Sequence, residues 1–133
     1  MMIDIRFVPP AEMRYSTVGD WQVDGTTLRI TSALPDGSSP RSAALVAIHE
    51  LVEVYLCVHS GITQDHVDAY DFAHLDDDEP GENPDAPYHA AHMAAEQIER
   101  LACALIGLPW AVHEATVEKT AEAVDVALGR STP

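Results

Sequence analysis

The stretch AIHELVEVYLC, Ala47–Cys57, decides how the rest of the chain is read. Its run of Ala, Val, Leu and Ile belongs in a buried helix, yet His49, Glu50 and Glu53 fall within two turns of one another. A buried, unpaired carboxylate costs several kcal/mol or takes up a proton. These three side chains therefore need a compensating partner. Upstream, Ser39-Pro40 has the form of an N-cap followed by proline at the first helical position, and downstream Gly61 is a C-terminal stop, so the sequence predicts a helix from about Pro40 to Ser60.

On the N-terminal side, Ile3, Ile5 and Phe7 alternate with Asp4 and Arg6, the period of a half-buried strand, closed by Pro9-Pro10. In GDWQVDGTTLRI, Asp24-Gly25 is a two-residue hairpin signal. Placed at the turn, it pairs Val23 with Thr26, Gln22 with Thr27, Trp21 with Leu28 and Asp20 with Arg29. One face then carries Trp21, Val23 and Leu28, and the other an opposite-charge pair.

On the C-terminal side, residues 61–87 read as a long irregular segment with one helical turn near Asp65 to Asp71. Asp85 is expected to cap a helix with Pro87 in its first turn, running through Ile106 to Gly107; Met93, Ala94, Ile98, Leu101, Ala102 and Leu105 are its expected packing surface. A further helix is expected from about Trp110 to Leu128, stopped by Gly129. The fold class is thus α+β: one domain over residues 1–133, a small antiparallel sheet of N-terminal strand plus β-hairpin, packed on a three-helix core.

Charge placement points to a cation. The 133 residues carry a formal charge of −15, and between Arg41 and Arg100 there is no Lys or Arg, although that span holds most of the acids and six of the seven histidines. Carboxylates and imidazoles without organic cations suit a metal ion as the missing positive charge. A nucleic-acid partner is excluded on the same ground, because phosphate binding needs clustered Lys and Arg. No stretch has the basic-then-apolar pattern of a signal peptide, and no uncharged apolar run reaches membrane-spanning length, so a cytoplasmic protein without a membrane partner is expected. Cys57 and Cys103 sit in apolar helical contexts and are expected as free core thiols.

His49 and Glu53 lie four apart on the helix and can share one ligand, with Glu50 beside them. H-E-x-x-E differs by one residue from H-E-x-x-H, in which two helical side chains hold zinc and the first Glu is the general base; Glu53 here replaces the second histidine, and carboxylate oxygen is a zinc donor. His89, His92, Glu96 and Glu99 follow steps of 3, 4 and 3 along one helix face, which makes a second ligand-type stripe. Asp71, flanked by Tyr70 and Phe72, is a further candidate ligand; His59 and His113 have no partner spacing and read as structural.

HELVE on a helix after a strand and hairpin, followed by a second helix bringing another ligand, resembles the minimal core of the zincin metallopeptidases. The fuller set RYSTVGDW, AIHELVEVYLC, DAYDF, EPGENPDAPYHAAH and IER resembles a family of small proteins encoded by bacteriophages and their hosts. The zincin resemblance implies a zinc-dependent hydrolase of peptide or other small substrates, with His49 and Glu53 as ligands, Glu50 as general base and His92 as third ligand. Because Glu53 adds a carboxylate, manganese or iron would also suit the donor set. Two rival classes remain open: a magnesium-dependent nucleotide pyrophosphohydrolase built on Glu50, Glu53, Glu96 and Glu99, and a non-enzymatic acidic interaction protein of phage type. A homodimer is compatible with each.

Overall fold

A computed structural model describes residues 1–130. Strands β1 (Met2–Val8), β2 (Gly19–Asp24) and β3 (Thr27–Ala33) form one sheet in the order β1-β3-β2, and helices α1 (Pro40–His59), α2 (Gln64–Ala73), α3 (His89–Leu105) and α4 (Trp110–Ala127) follow. Two short 3-10 turns, Pro10–Glu12 and Pro80–Glu82, lie in the connections. The class is α+β, with two corrections. The sheet is mixed rather than antiparallel, because β1 pairs with β3 in parallel while β2 pairs with β3 antiparallel. Among the described residues there are four α-helices rather than three, because the segment read as a single turn near Asp65 is a ten-residue helix. Thr63 nucleates it: its hydroxyl accepts from the His66 N–H, and the His66 ring accepts from the Thr63 N–H, both at 3.2 Å, which makes a reciprocal cap with histidine in the usual Glu or Gln position.

The hairpin forms two residues away from the expected register. Gly25, at φ 61, and Thr26 make the turn, Asp24 pairs with Thr27, and Trp21 stands opposite Ile30. A two-residue loop with glycine in a left-handed conformation matches the strand twist, and Gly25 fits its first position better than Asp24 does. Since side chains alternate with period two, a shift of two leaves the same face inward. Trp21, Leu28 and Ile30 are all buried there. Asp20 is therefore not opposite Arg29; instead Arg14 grips it through Nε and Nη2 at 2.6 and 2.8 Å and holds Asp68 of α2 at 3.1 Å, which ties α2 to β2.

Helix α1 crosses this face. Ser39 accepts from the Arg41 N–H at its start and Gly61, at φ 75, follows its end, as the sequence predicts. By length and composition α1 could cross a membrane, with a mean hydropathy of 1.4 over its most apolar window. Here it packs on β2, β3 and α3, and Ala47, Val54 and Cys57 join Trp21, Leu28, Ile30, Val67, Tyr88 and Ala91 in the main core. Cys57 and Cys103 are both free and buried.

Helix α3 departs from expectation in start and in orientation. It begins at His89, with Tyr88 at the N-cap, since the Asp85 carboxylate accepts from the Tyr70 hydroxyl at 3.0 Å rather than from the helix. Its buried residues are Ala91, Ala95, Glu99 and Cys103, whereas Ile98, Leu101 and Leu105 are 43%, 57% and 78% exposed. The stripe of ligand-type residues faces inward. Ala91 and Ala95 let the backbones of α1 and α3 approach closely, so that His92 and Glu99 reach the polar residues of α1.

Candidate metal centre

The site is built where α1 and α3 face each other beside the sheet. His49 and Glu53 occupy one α1 face, four residues apart, and His92 enters from the first turn of α3. The His49 Nε2, Glu53 Oε2 and His92 Nδ1 atoms form a triangle with edges of 3.2, 3.2 and 3.1 Å. Two donors bound to zinc at about 2.0 to 2.1 Å with a tetrahedral angle between them lie about 3.3 Å apart, so this triangle has the dimensions of one face of a zinc coordination sphere. His49 and Glu53 are buried, and His92 is partly so.

Each donor is held from behind. The Glu99 carboxylate lies 2.8 Å from His49 Nδ1, which holds a proton there, so that a cation displacing the other proton would meet the Nε2 lone pair aimed at the triangle. Glu99's other oxygen meets His113 Nε2 at 2.5 Å, and His113 Nδ1 lies 3.1 Å from the Ser42 hydroxyl. Ser42, His113 and Glu99 are all buried, so the line Ser42–His113–Glu99–His49 is a dry support for one donor. Glu53 is fixed by the Trp21 indole, whose N–H donates to Oε1 at 3.1 Å and leaves Oε2 for the triangle. His92 is pressed from the other side by Gly81: a Cβ built there would lie 2.6 Å from its ring.

The electrostatics follow from three basic sites converging on a small dry volume. Burial alone would lower the His49 pKa, but the hydrogen bonds of Glu53 and Glu99 and the Glu50 charge outweigh it and push it up to about 11. Burial pushes Glu53 up, and the bonds from His49 and His92 overcome this and hold it at about 2. Without a cation, a proton on His49 supplies the compensating charge. Glu50 is different. Its carboxyl makes no side-chain hydrogen bond among the described residues and lies against the start of β2, its Oε1 2.7 Å from where a Cβ on Gly19 would be. Burial first, and then the neighbouring Glu53 charge, raise its pKa well above the ordinary carboxylate range, against the opposing effect of His49. A half-buried carboxyl with no fixed hydrogen-bond partner and a pKa raised by burial has the features of a proton-transfer group.

Two candidates stand outside the triangle. Asp71 is buried, but its two oxygens are taken by the Tyr15 hydroxyl, at 2.8 Å, and the Tyr88 hydroxyl. Burial raises its pKa against the pull of those two bonds. It anchors two tyrosines rather than offering a ligand atom. Glu96 sits 3.7 Å from Arg100 and offers no oxygen to the group. The His89 ring is bonded to the Gly81 carbonyl at 2.9 Å. Among the described residues no three of Glu50, Glu53, Glu96 and Glu99 bring oxygens within 4.8 Å of one another; a second close group, Glu79, Glu82 and His92, is largely exposed.

The supporting line through Glu99, His113 and Ser42 is what sequence reasoning missed. Glu99 was visible as the last member of the α3 stripe, but His113 and Ser42 carry no spacing signal: His113 lies 14 residues from Glu99, and Ser42 lies 71 residues from His113. Compared with protein-family models, curated proteins and solved structures, the chain matches none.

Proposed function

We propose that the protein is a metal-dependent hydrolase of zincin-like type, acting in the cytoplasm on a peptide or other small carbonyl substrate, with zinc held by His49, Glu53 and His92. The observation that carries this reading is the donor triangle, buried, tetrahedral in its edges and braced by Glu99 and Trp21. Two nitrogens and one oxygen form a donor set that zinc accepts, and manganese or iron would be the alternatives if the added carboxylate weakens the preference. The bound metal would supply Lewis acidity and a water acidified towards neutrality.

The chain's own residues would do the rest. Glu50, beside the ligand pair on the same helix, takes a proton from the attacking water and returns it to the leaving group. Glu99 keeps the His49 Nε2 lone pair directed inward, and Trp21 keeps Glu53 Oε2 directed with it.

Elemental analysis of protein purified without added metal tests the reading, joined to hydrolysis of a fluorogenic peptide mixture. About one transition-metal ion per chain is expected, with Glu50→Gln keeping the metal and losing hydrolysis. Metal-free, fully folded protein that neither takes up zinc nor responds to chelators would overturn it.

A further inference from the structure

Strand β1 lies at one edge of the sheet, with β3 as its pairing partner. The ladder tells which of its backbone groups are used. The Met2 N–H donates to the Thr26 carbonyl at 2.9 Å and the Val8 carbonyl accepts from the Leu34 N–H at 2.8 Å. Even-numbered residues of β1 thus turn their amides towards β3, and by alternation Ile3, Ile5 and Phe7 turn theirs to the open edge. The side chains of Ile3 and Ile5 register with Leu28 and Ile30, on the sheet face that α1 covers. But α1 packs on β2 and β3 and stops short of β1, which leaves Ile3, Ile5 and Phe7 50%, 45% and 46% exposed. The seven-residue edge strand has an apolar stripe and no proline within it, so of the devices that keep sheet edges apart it carries only charges, Asp4 and Arg6.

The charges on the strand choose an occupant. In an antiparallel pairing of β1 with β1 of a second copy, the outward amides of Ile3, Ile5 and Phe7 must meet outward amides, which allows registers with Ile3 opposite Ile5, Ile5 opposite itself, or Ile5 opposite Phe7. The first sets Asp4 against Asp4 and the last Arg6 against Arg6. Only the register centred on Ile5 sets Asp4 against Arg6 twice, in the close, non-hydrogen-bonded positions, and at the same time pairs Ile3 with Phe7 and Ile5 with Ile5. Like charges directly opposite are destabilising and opposite charges stabilising, so the strand is self-complementary about a two-fold axis.

We propose that β1 is the homodimer interface of this protein, pairing antiparallel with β1 of a second copy about Ile5 to make one six-stranded sheet. The pairing closes the ladder with two backbone hydrogen bonds at each of three residue pairs and joins the two apolar stripes. It is independent of the metal reading.

The test combines light scattering on the purified chain with cysteine cross-linking. A dimer is expected at tens of micromolar. Under mild oxidation Ile5→Cys should cross-link, because a hydrogen-bonded antiparallel pair has its Cα atoms about 5.5 Å apart, within disulfide reach. Phe7→Cys should not, because the two copies of position 7 would lie about 13 Å apart along the strands. Native Cys57 and Cys103 are buried and do not compete. Asp4→Arg and Arg6→Asp should each weaken self-association by about tenfold, about 1.4 kcal/mol, while an equimolar mixture of the two regains wild-type dimer as a heterodimer. Restoration in the mixture separates the interface from folding defects, because each chain keeps its own substitution there. A chain that stays monomeric at 100 micromolar scale, equal cross-linking at positions 5 and 7, or a mixture no tighter than its components would each overturn the proposal.

Discussion

Replacing Glu53 with Gln tests the centre at its most connected point. The side chain is 5% exposed; Oε1 accepts from Trp21 at 3.1 Å, and Oε2 faces His49 Nε2 at 3.2 Å and His92 Nδ1 at 3.1 Å. The amide has the same size and its oxygen can still accept from the indole, so no cavity opens, but its NH2 then stands where Oε2 accepted and the His49 Nε2–H loses its acceptor. What disappears is the negative charge opposite a buried, protonated His49. Removing one partner of a buried ion pair costs about 3–5 kcal/mol; with a urea slope of about 2 kcal/mol/M, the lower figure moves the unfolding midpoint of metal-free protein down by about 1.5 M. The second arm adds zinc. Wild type should gain about 2.7 kcal/mol at a hundredfold excess of zinc over its dissociation constant, and Glu53→Gln almost nothing. A variant that unfolds within about 1 kcal/mol of wild type, or that gains as much from zinc, would refute a site in which this carboxylate is both the charge partner and the ligand.

The pH dependence follows from the same pair. In metal-free protein His49 is raised to about 11, so its contribution is complete below the ordinary histidine range near 6.5 and is lost as pH rises towards 11; Glu53, held at about 2, contributes fully above about 4.5 and loses its part as pH falls towards 2. Urea melts across pH should show both slopes, and since zinc must displace the His49 proton, zinc affinity measured by competition with a chelator should rise over the alkaline window. Glu99→Gln should retain the fold's core but weaken zinc binding by about 10- to 100-fold, because His49 Nδ1 loses the carboxylate that orients and polarises it; unchanged affinity in calorimetry would remove Glu99 from the site. Gly81→Ala places a methyl 2.6 Å from the His92 ring and 2.8 Å from Tyr88, which should cost about 1–3 kcal/mol and reduce zinc uptake. Full metal loading of that variant would show that His92 is not needed where it stands.

The local signals of the chain were legible wherever the decisive interaction is short in sequence. Ser39-Pro40 and Gly61 bound α1 as expected because a cap needs only its neighbours. The hairpin's inward face survived a wrong register because the error was two residues, an even number. Parallel pairing of β1 with β3 was not legible: it depends on a crossover between strands with no local signature, and a hairpin cue favours reading every neighbour as antiparallel. Asp85 misled because its carboxylate serves Tyr70, a contact fifteen residues away.

The orientation of α3 was the hardest reading, since both of its faces offered a reason to turn inward. Burying Ile98, Leu101 and Leu105 instead would have gained about 1.5–3 kcal/mol for each side chain fully removed from water. The chain leaves them partly or largely exposed and buries Glu99 with His92 partly covered. Hydrophobic burial alone cannot favour that choice. A structural zinc site contributes on the order of 10–16 kcal/mol to folding, more than the forfeited apolar burial, and Glu99 is useful to the fold only through the histidines it holds. Under the proposed reading, a cation at the triangle would account for the inward polar stripe. Its removal should have a visible consequence: in chelator-treated protein α3 should be the first helix to lose amide-exchange protection, while the α1–sheet core, closed by Trp21, Ile30 and Val54, stays protected. Uniform protection with and without zinc would mean that the stripe is buried for another reason.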